Sequence, residues 1–334
     1  MSRPTEISLK MLQAFLTWAE AGTEQEAAAK LGITQPAVHR KLEKFQTQMG
    51  TGPRLLQHGR RGWELTDDGR AVLPAIRDLV RRFEQLEQHL SNRDIAPRSI
   101  RIGTGGFAAQ YILPAALAAV GRKLADCQIE THQERGVNRI LFTADARFDL
   151  AIVTHTPEQV ETLVRRHFQT RRRLLDCELI GRFPLCVAAR RESAEAGALA
   201  KIPARRTVSI PDIARWRLVG LDPQAGLRQR LEQLAGDNPL TFAPETTAGG
   251  WGAAKACAVQ GLGVAILPIA TLTVHDRQEL MLRRLDDRFV VEEYLISRTD
   301  FLDAACQTMK EELRASAATA CQQADAFWDQ VAGR

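Results

Sequence analysis

Gly103, Gly105 and Ala108 lie in the stretch SIRIGTGGFA (99–108), where a short apolar run passes through glycines into AAQYILPAALAAV. G-x-G-x-x-A is the spacing by which a strand–turn–helix unit lays backbone amides against a dinucleotide pyrophosphate. Hydride transfer asks for more, beginning with an acidic side chain about 20 positions on to hold the ribose. Glu130 stands 27 positions after Gly103, and no nearby acid at a strand end fits better. The chain also lacks the nucleophile elbow G-x-S-x-G and the phosphate loop G-x-x-x-x-G-K-[ST]. A dinucleotide-binding oxidoreductase is therefore the weaker reading, and no cofactor is expected. Cysteines 127, 177, 186, 257, 306 and 321 are scattered, without C-x-x-C or paired Cys/His spacing. That pattern predicts reduced thiols in a cytoplasm and no zinc site.

A second set of residues suits a polyanion. The net charge of +5 is modest for 334 residues. Yet between Thr34 and Arg61 the cations Arg40, Lys41, Lys44, Arg54, Arg60 and Arg61 face Glu43 alone, so this stretch carries as much net charge as the whole chain. A local basic excess is what a surface laid against phosphates needs, although a solvated face satisfies it too. Gln35 is able to pair bidentately with adenine and Arg40 with guanine, while Lys44 and other cations hold phosphates.

These side chains must be positioned by helices. Leu9, Leu12, Phe15, Leu16 and Ala19 recur at helical spacing, and Gly22 ends that helix. T-E-Q-E (23–26) has the capping-box form, in which Thr23 and Glu26 satisfy each other's amides. The alanine-rich EAAAKL follows, Gly32 turns the chain, and Thr34 caps a third helix with Pro36 in its first turn. In that helix Val38, Leu42, Phe45 and Met49 share one side and must be buried, leaving Pro36, Arg40, Lys44 and Thr47 opposite and Gln35 and His39 on the flanks. Helix, glycine turn and helix at this length form a helix-turn-helix; a plain bundle with a solvated basic face is the alternative, and arrangement with charge favours DNA. Leu55, Leu56 and HGRRGWELT read as a winged hairpin carrying Arg60 and Arg61 at its turn. From Thr66 a long helix runs to Leu90. Its Ile76, Leu79, Phe83, Leu86 and Leu90 form an a/d seam suited to a second copy of itself or to burial against the chain's own C-terminal part. Pro74 marks a kink or the helix's true start.

After the polar linker SNRDIAPRS, strands and helices alternate. SIRIG, a helix to Val120, CQIETH, a helix over 136–146 and FDLAIVTH make a βαβ series; ELIGRFPLCVAAR, RLVGL, a helix over 224–235, LTFAPET, a helix to Gln260 and VAILP make another. LMLRRL and VVEEYLISR, then a helix from Phe301, return the chain to the first lobe. Ligands collect at the C-terminal ends of parallel strands, beside helix amides. That rule selects Thr104, Gly105, Gly106 and Phe107; Thr154 and His155; Asp222, Pro223 and Gln224; and Thr246, Thr247 and Gly249. Hydroxyls beside amides suit a small anion such as a carboxylate, with Arg135 and His155 adding positive charge; ordinary turn chemistry also accounts for each residue taken singly.

LKMLQAFLTWAEAGTEQEAAAKLGITQPAVHRKLEKFQTQMG, then LLQHGRRGWELTDDGRAVL, resembles the winged helix-turn-helix of LysR-type transcriptional regulators, with Thr-Gln-Pro-Ala-Val and L-T-x-x-G after the wing its most specific parts. GLGVAILP (261–268) is similar to a motif in that family's second lobe. The resemblance implies double-stranded promoter DNA and a small effector as partners, RNA polymerase as a further candidate partner, and a homodimer or homotetramer that bends DNA; separately, no run of about 18 uncharged apolar residues marks a membrane span, so no membrane partner is expected. It also implies an α/β fold class with an N-terminal all-α winged helix-turn-helix and a C-terminal two-lobed, periplasmic-binding-protein-like effector domain. The expected boundaries are 1–65 for the DNA-binding domain, 66–92 for a dimerising helix, 93–98 for a hinge linker, 99–177 with 285–315 for lobe I, 178–284 for lobe II and 316–334 for an extension beyond the family's usual length. Position by position, Gln35, Pro36, Arg40 and Lys44 match DNA-facing residues, and His39 stands where the family usually has serine. Cys177 and Cys186, nine apart, resemble a peroxide-sensing branch. They flank a strand-like stretch that would hold them beyond disulfide reach, which leaves a thiol sensor as an alternative.

Overall fold

Helix α1 (Leu9–Ala21) turns Met11, Leu12, Phe15 and Trp18 inward. Gly22 and Gly32 close α1 and α2 (Glu24–Leu31) at φ of 80° and 62°, a left-handed geometry that suits glycine. Thr23 Oγ1 accepts from the Glu26 amide at 3.2 Å, one half of the expected reciprocal cap. Helix α3 (Gln35–Gln48) buries Val38, Leu42 and Phe45 against α1, with the Phe15 and Phe45 rings 5.0 Å apart. This computed structural model describes residues 7–48, 54–59, 62–91, 98–125, 127–169, 173–203, 206–213, 216–223, 225–235, 246–299 and 304–333. Met49 lies outside them.

Strands β1 (Leu56–Gly59) and β2 (Gly62–Leu65) pair as the wing hairpin. Helix α4 (Asp67–Ser91) begins where Thr66 Oγ1 accepts from the Gly69 amide at 3.0 Å, so Pro74 sits inside the helix and does not start it. The expected seam is corrected at its first position. Ile76 is buried with Val80 in the chain's own N-terminal core, because α4 packs on α1. Leu79 is 53% exposed and Phe83 half-buried, while the side chains of Leu86 and Leu90 lie outside the described ones.

Then follow β3 (Arg98–Thr104), α5 (Gly106–Tyr111), α6 (Leu113–Gly121), β4 (Cys127–Gln133), α7 (Gly136–Ala144), β5 (Leu150–Val153), α8 (Pro157–Phe168) and β6 (Leu175–Arg190). The single helix expected to Val120 is two, broken at Ile112. The chain continues through α9 (Ala194–Ala200), α10 (Ile210–Ile213), β7 (Leu218–Leu221), α11 (Gly226–Ala235), β8 (Thr246–Ala248), α12 (Trp251–Val259), β9 (Val264–Pro268), α13 (Asp276–Glu279), β10 (Leu280–Arg284), β11 (Val290–Arg298) and α14 (Ala304–Ala332). The strand order is β4-β3-β5-β11-β6-β9-β7-β8, with β10 on β6. β3 is parallel to β4 and β5, and β7 to β8 and β9. β6 joins the two parallel halves without a break: residues 175–184 pair with β11, and residues 185–190 pair with β9 and β10.

The C-terminal tail is neither frayed nor separate, since α14 runs unbroken to Ala332. Its small residues Ser316, Ala317, Ala320 and Ala324 are buried and allow close approach to α6 and β6. Ser316 Oγ donates to the Ile112 carbonyl, and Arg277 of α13 donates to the Gln330 carbonyl at 3.1 Å. Among the described residues no helix is long and apolar enough to cross a membrane.

Candidate nucleic-acid interface and ligand cleft

Thr34, Gln35, Pro36, Arg40 and Lys44 are all exposed on or beside α3, opposite its buried stripe. Arg40, Lys44 and Arg54 form no ion pair among the described residues, so none of those residues neutralises their charge. The α3 backbone is locked to the wing by Gln46, whose Oε1 accepts from the Leu55 and Leu56 amides at 2.8 and 2.9 Å. His39 reaches sideways rather than outward. Its Nδ1 lies 3.0 Å from Glu24 Oε1 on α2, and its ring is 5.8 Å from that of Trp63, which stacks on His58 in the wing. Arg60 and Arg61 lie outside the described residues.

At the other site, β3 ends at Thr104, which is only 1% exposed. Thr104 is thus floor rather than mouth, and Phe107 is a core residue packed 4.7 Å from the Phe183 ring. Phe107 therefore belongs to the core rather than to a ligand-facing turn. The glycines answer a packing need. A Cβ on Gly103 would stand 2.6 Å from the Phe148 ring, and one on Gly105 would stand 3.0 Å from both terminal nitrogens of Arg139. Glu130 is mid-strand opposite Arg101, where it accepts from Ser99 Oγ at 3.1 Å, so it does not occupy a ribose-holding strand end.

Arg139 was not selected by strand-end reasoning. It sits one turn into α7, 7% exposed, donating Nη1 to the Ile152 carbonyl, while its Nε has no partner among the described residues. No carboxylate of the described residues lies within ion-pair distance of it. Glu293 is buried on β11 at a bulge, with Oε2 unpartnered among the described residues, and burial pushes its carboxyl up to about 7 against the opposing pull of Arg139. Burial, then the neighbouring Arg139, lowers the His155 pKa, and its Nδ1 has no partner among the described residues. His155 is therefore neutral near pH 7, and the positive charge expected of it comes from Arg139 instead. Both missed residues leave a sequence trace. Arg139 falls on the helix face of Ile140, Thr143 and Ala144, and Glu293 falls in the inward phase of Val291 and Leu295.

The second half of the sheet meets this floor. Gly226, at the start of α11, lies against the Thr154 side chain, and Arg135 and the Asp222 carboxylate face each other at 4.0 Å. Thr104, Gly105, Gly106, Arg135, Thr154, His155 and Asp222 are brought into one region. Thr246 and Thr247 lie a strand further out, in register with Val219 and Gly220, and Gln224 lies outside the described residues. Cys177 and Cys186 occupy one continuous strand, about 30 Å apart by extended geometry. Burial pushes Cys177 up to about 11 and Cys186 further up, so both are protonated thiols with no disulfide path between them.

A winged helix-turn-helix joined through a long helix to a two-part α/β sheet defines the class. Residues 9–70 match the bacterial regulatory helix-turn-helix protein family, lysR type, and residues 96–318 match the LysR substrate binding domain. The chain belongs to the LysR family. It is 33% identical over 127 residues to the uncharacterized HTH-type transcriptional regulator YxjO of Bacillus subtilis, a match covering 38% of this chain and 43% of that relative, so the chain spans less than half of that relative's length. It is 23% identical over 271 residues to the HTH-type transcriptional activator CmpR of Synechocystis sp., covering 80% and 81%. Its fold is similar to that of full-length CbnR complexed with its target DNA, with a TM-score of 0.55 at 18% identity over 93% of this chain and 100% of that one.

Proposed function

We propose that this chain is a DNA-binding transcriptional regulator of the cytoplasm, acting at promoters read by RNA polymerase, as a homodimer or homotetramer joined in part through α4. The observation that carries this reading is the face of α3. Gln35, Pro36, Arg40 and Lys44 stand exposed and uncommitted on a helix whose other side is core and whose C-terminal turn is pinned to a wing. In this reading Gln35 and Arg40 read base edges, Lys44 and Arg54 hold phosphates, and Thr34 sets the helix start. Arg60 and Arg61, which follow β1 and precede β2 in the sequence, add phosphate or minor-groove contacts. His39 buttresses the wing and leaves base reading to its neighbours.

The C-terminal domain takes a small carboxylate or similar anion. Arg139 supplies the buried positive charge beneath Gly105, and the α5 and α7 amides supply donors. Thr104 and His155 form the floor, with Arg135, Thr154 and Asp222 at the meeting of the two halves. Thr246 and Thr247 contribute only if that second half moves inward. The boundaries expected from sequence serve as this proposal's division of the chain, with α14 added as one continuous brace from Ala304 to Ala332.

The test is a gel shift with duplexes selected by the protein from a random pool. Binding should weaken steeply with salt. Lys44→Ala should weaken it evenly across sequences and lower the salt slope by about one unit, while Gln35→Ala should relax preference at one base position by ~1–3 kcal/mol. Retention of no duplex at low salt would sink the reading.

A further inference from the structure

Helix α7 has the candidate anion pocket at its first turn and the DNA-binding half of the chain at its last. Arg135 caps it, the Gly136 backbone lies beside the His155 ring, and Arg139 sits one turn in beneath Gly105. About 14 Å further along, Asp145 meets the linker helix. Its main-chain carbonyl accepts from Arg77 Nη1 at 2.7 Å and its carboxylate pairs with the same guanidinium. Arg77 Nε in turn pairs with Glu20 Oε1, in the last turn of α1, at 3.0 Å. Four residues on, Asp149 pairs with Arg81 of α4 and accepts from the Arg101 amide of β3 at 2.8 Å.

We propose that α7 is the coupling rod of this regulator: anion binding at its N-terminal turn is read by the DNA-binding domain through the Asp145–Arg77 and Asp149–Arg81 pairs. The proposal rests on the DNA-binding and anion-cleft readings above and adds the route between them.

Three features make the rod stiff at one end and switchable at the other. Ile140, Thr143 and Ala144 are buried, and Thr143 Oγ1 donates to the Arg139 carbonyl, which ties the pocket arginine to the helix body. The loop after α7 is bound to the rod and to β3. The Arg147 and Phe148 amides donate to the Phe142 carbonyl at 2.8 and 3.1 Å, and Arg101 donates to the Ala146 carbonyl at 3.0 Å. A displacement of α7 therefore carries Asp145 and Asp149 with it. The joint to the DNA-binding domain is not close-packed, since a cavity of about 680 Å³ opens there between Glu20, Leu73 and Arg77 on one side and Glu130, Arg147 and Phe148 on the other. The ion pairs, beside the contact of α4 with α8, hold the two parts in register, and removing one partner of such a part-buried pair leaves the other charge uncompensated.

Coupling is reciprocal, so DNA can stand in for the unidentified effector. Hydrogen exchange is measured on the full chain, free and saturated with a duplex selected by the wild type from a random pool. In the wild type, exchange in peptides covering 104–112 and 134–144 should change about fivefold or more on adding DNA, while a peptide over 264–268 should not respond. The double variant Arg77→Gln, Arg81→Gln should still bind the duplex and lose the response at both peptides. If that variant unfolds, Asp145→Asn keeps the Arg77 bond to the main-chain carbonyl and should show a partial loss. An unchanged α7 in the DNA-bound wild type overturns the proposal, as does a full response persisting in the variants. Retention of no duplex overturns the regulator reading and this one with it, and is seen before any exchange is measured.

Discussion

Arg139 and Glu293 are two buried ionisable groups that face the same floor without forming an ion pair, and this arrangement makes the domain's stability depend on pH. The Glu293 carboxyl titrates near 7 in the fold and near its ordinary 4.5 in the unfolded chain. The folded state therefore keeps a proton that the unfolded chain releases first. The resulting stabilisation is full below pH 4.5 and is lost as pH rises through about 7, a span of the order of 3 kcal/mol. Glu293→Gln should flatten the wild-type melting curve's decline between pH 5 and 7.5. Arg139→Met removes the opposing cation, so it should be tolerated near pH 5 and cost about 1 kcal/mol near pH 8, where Glu293 must either ionise alone or hold its proton against the solvent pH. Thermal melts at the two pH values check both.

At the scale of elements, the third helix and the wing act as one body because of a single side chain. Gln46 satisfies the amides of Leu55 and Leu56, both buried where β1 begins. Gln46→Ala leaves those two donors unpaired in the interior and should cost ~1–3 kcal/mol. A gel shift should show weakened DNA binding beyond the loss of fold, since the wing loses its anchor to α3. The α3 stripe itself was legible from 3.6-residue spacing, and so was the hairpin from its glycines. The sideways bond of His39 was not, because its partners Glu24 and Trp63 are 15 and 24 positions away. Helix α14 shows the same limit. Its heavy use of alanine reads as weakly amphipathic, and only contact with α6 and β6 explains why small residues line its buried face.

At the scale of the whole molecule, α4 has two jobs that divide its apolar residues. Ile76 and Val80 serve the chain's own core, whereas Leu79 stands out from it. Leu79→Asp should therefore leave the melting temperature of the isolated chain nearly unchanged and weaken self-association at least tenfold, as read by sedimentation across a concentration series. A chain whose association is unaffected would place the dimer contact elsewhere.

The sequence by itself determined the helix-turn-helix, the wing, the strand–helix alternation and the strand ends where a ligand would collect. Each of these depends on spacing within a few residues: 3.6 for a buried helix face, a glycine for a left-handed turn, a strand end beside a helix start. It also carried a false lead at residues 103–108, because glycine spacing reports close approach without saying what approaches. Only the tertiary structure decided that Phe148 and Arg139 fill that space, that β6 crosses both halves without a break, and that Arg77 and Arg81 meet Asp145 and Asp149 across 68 positions of chain. Those pairings follow from how packed elements stack in three dimensions, and no local pattern of residue types encodes them.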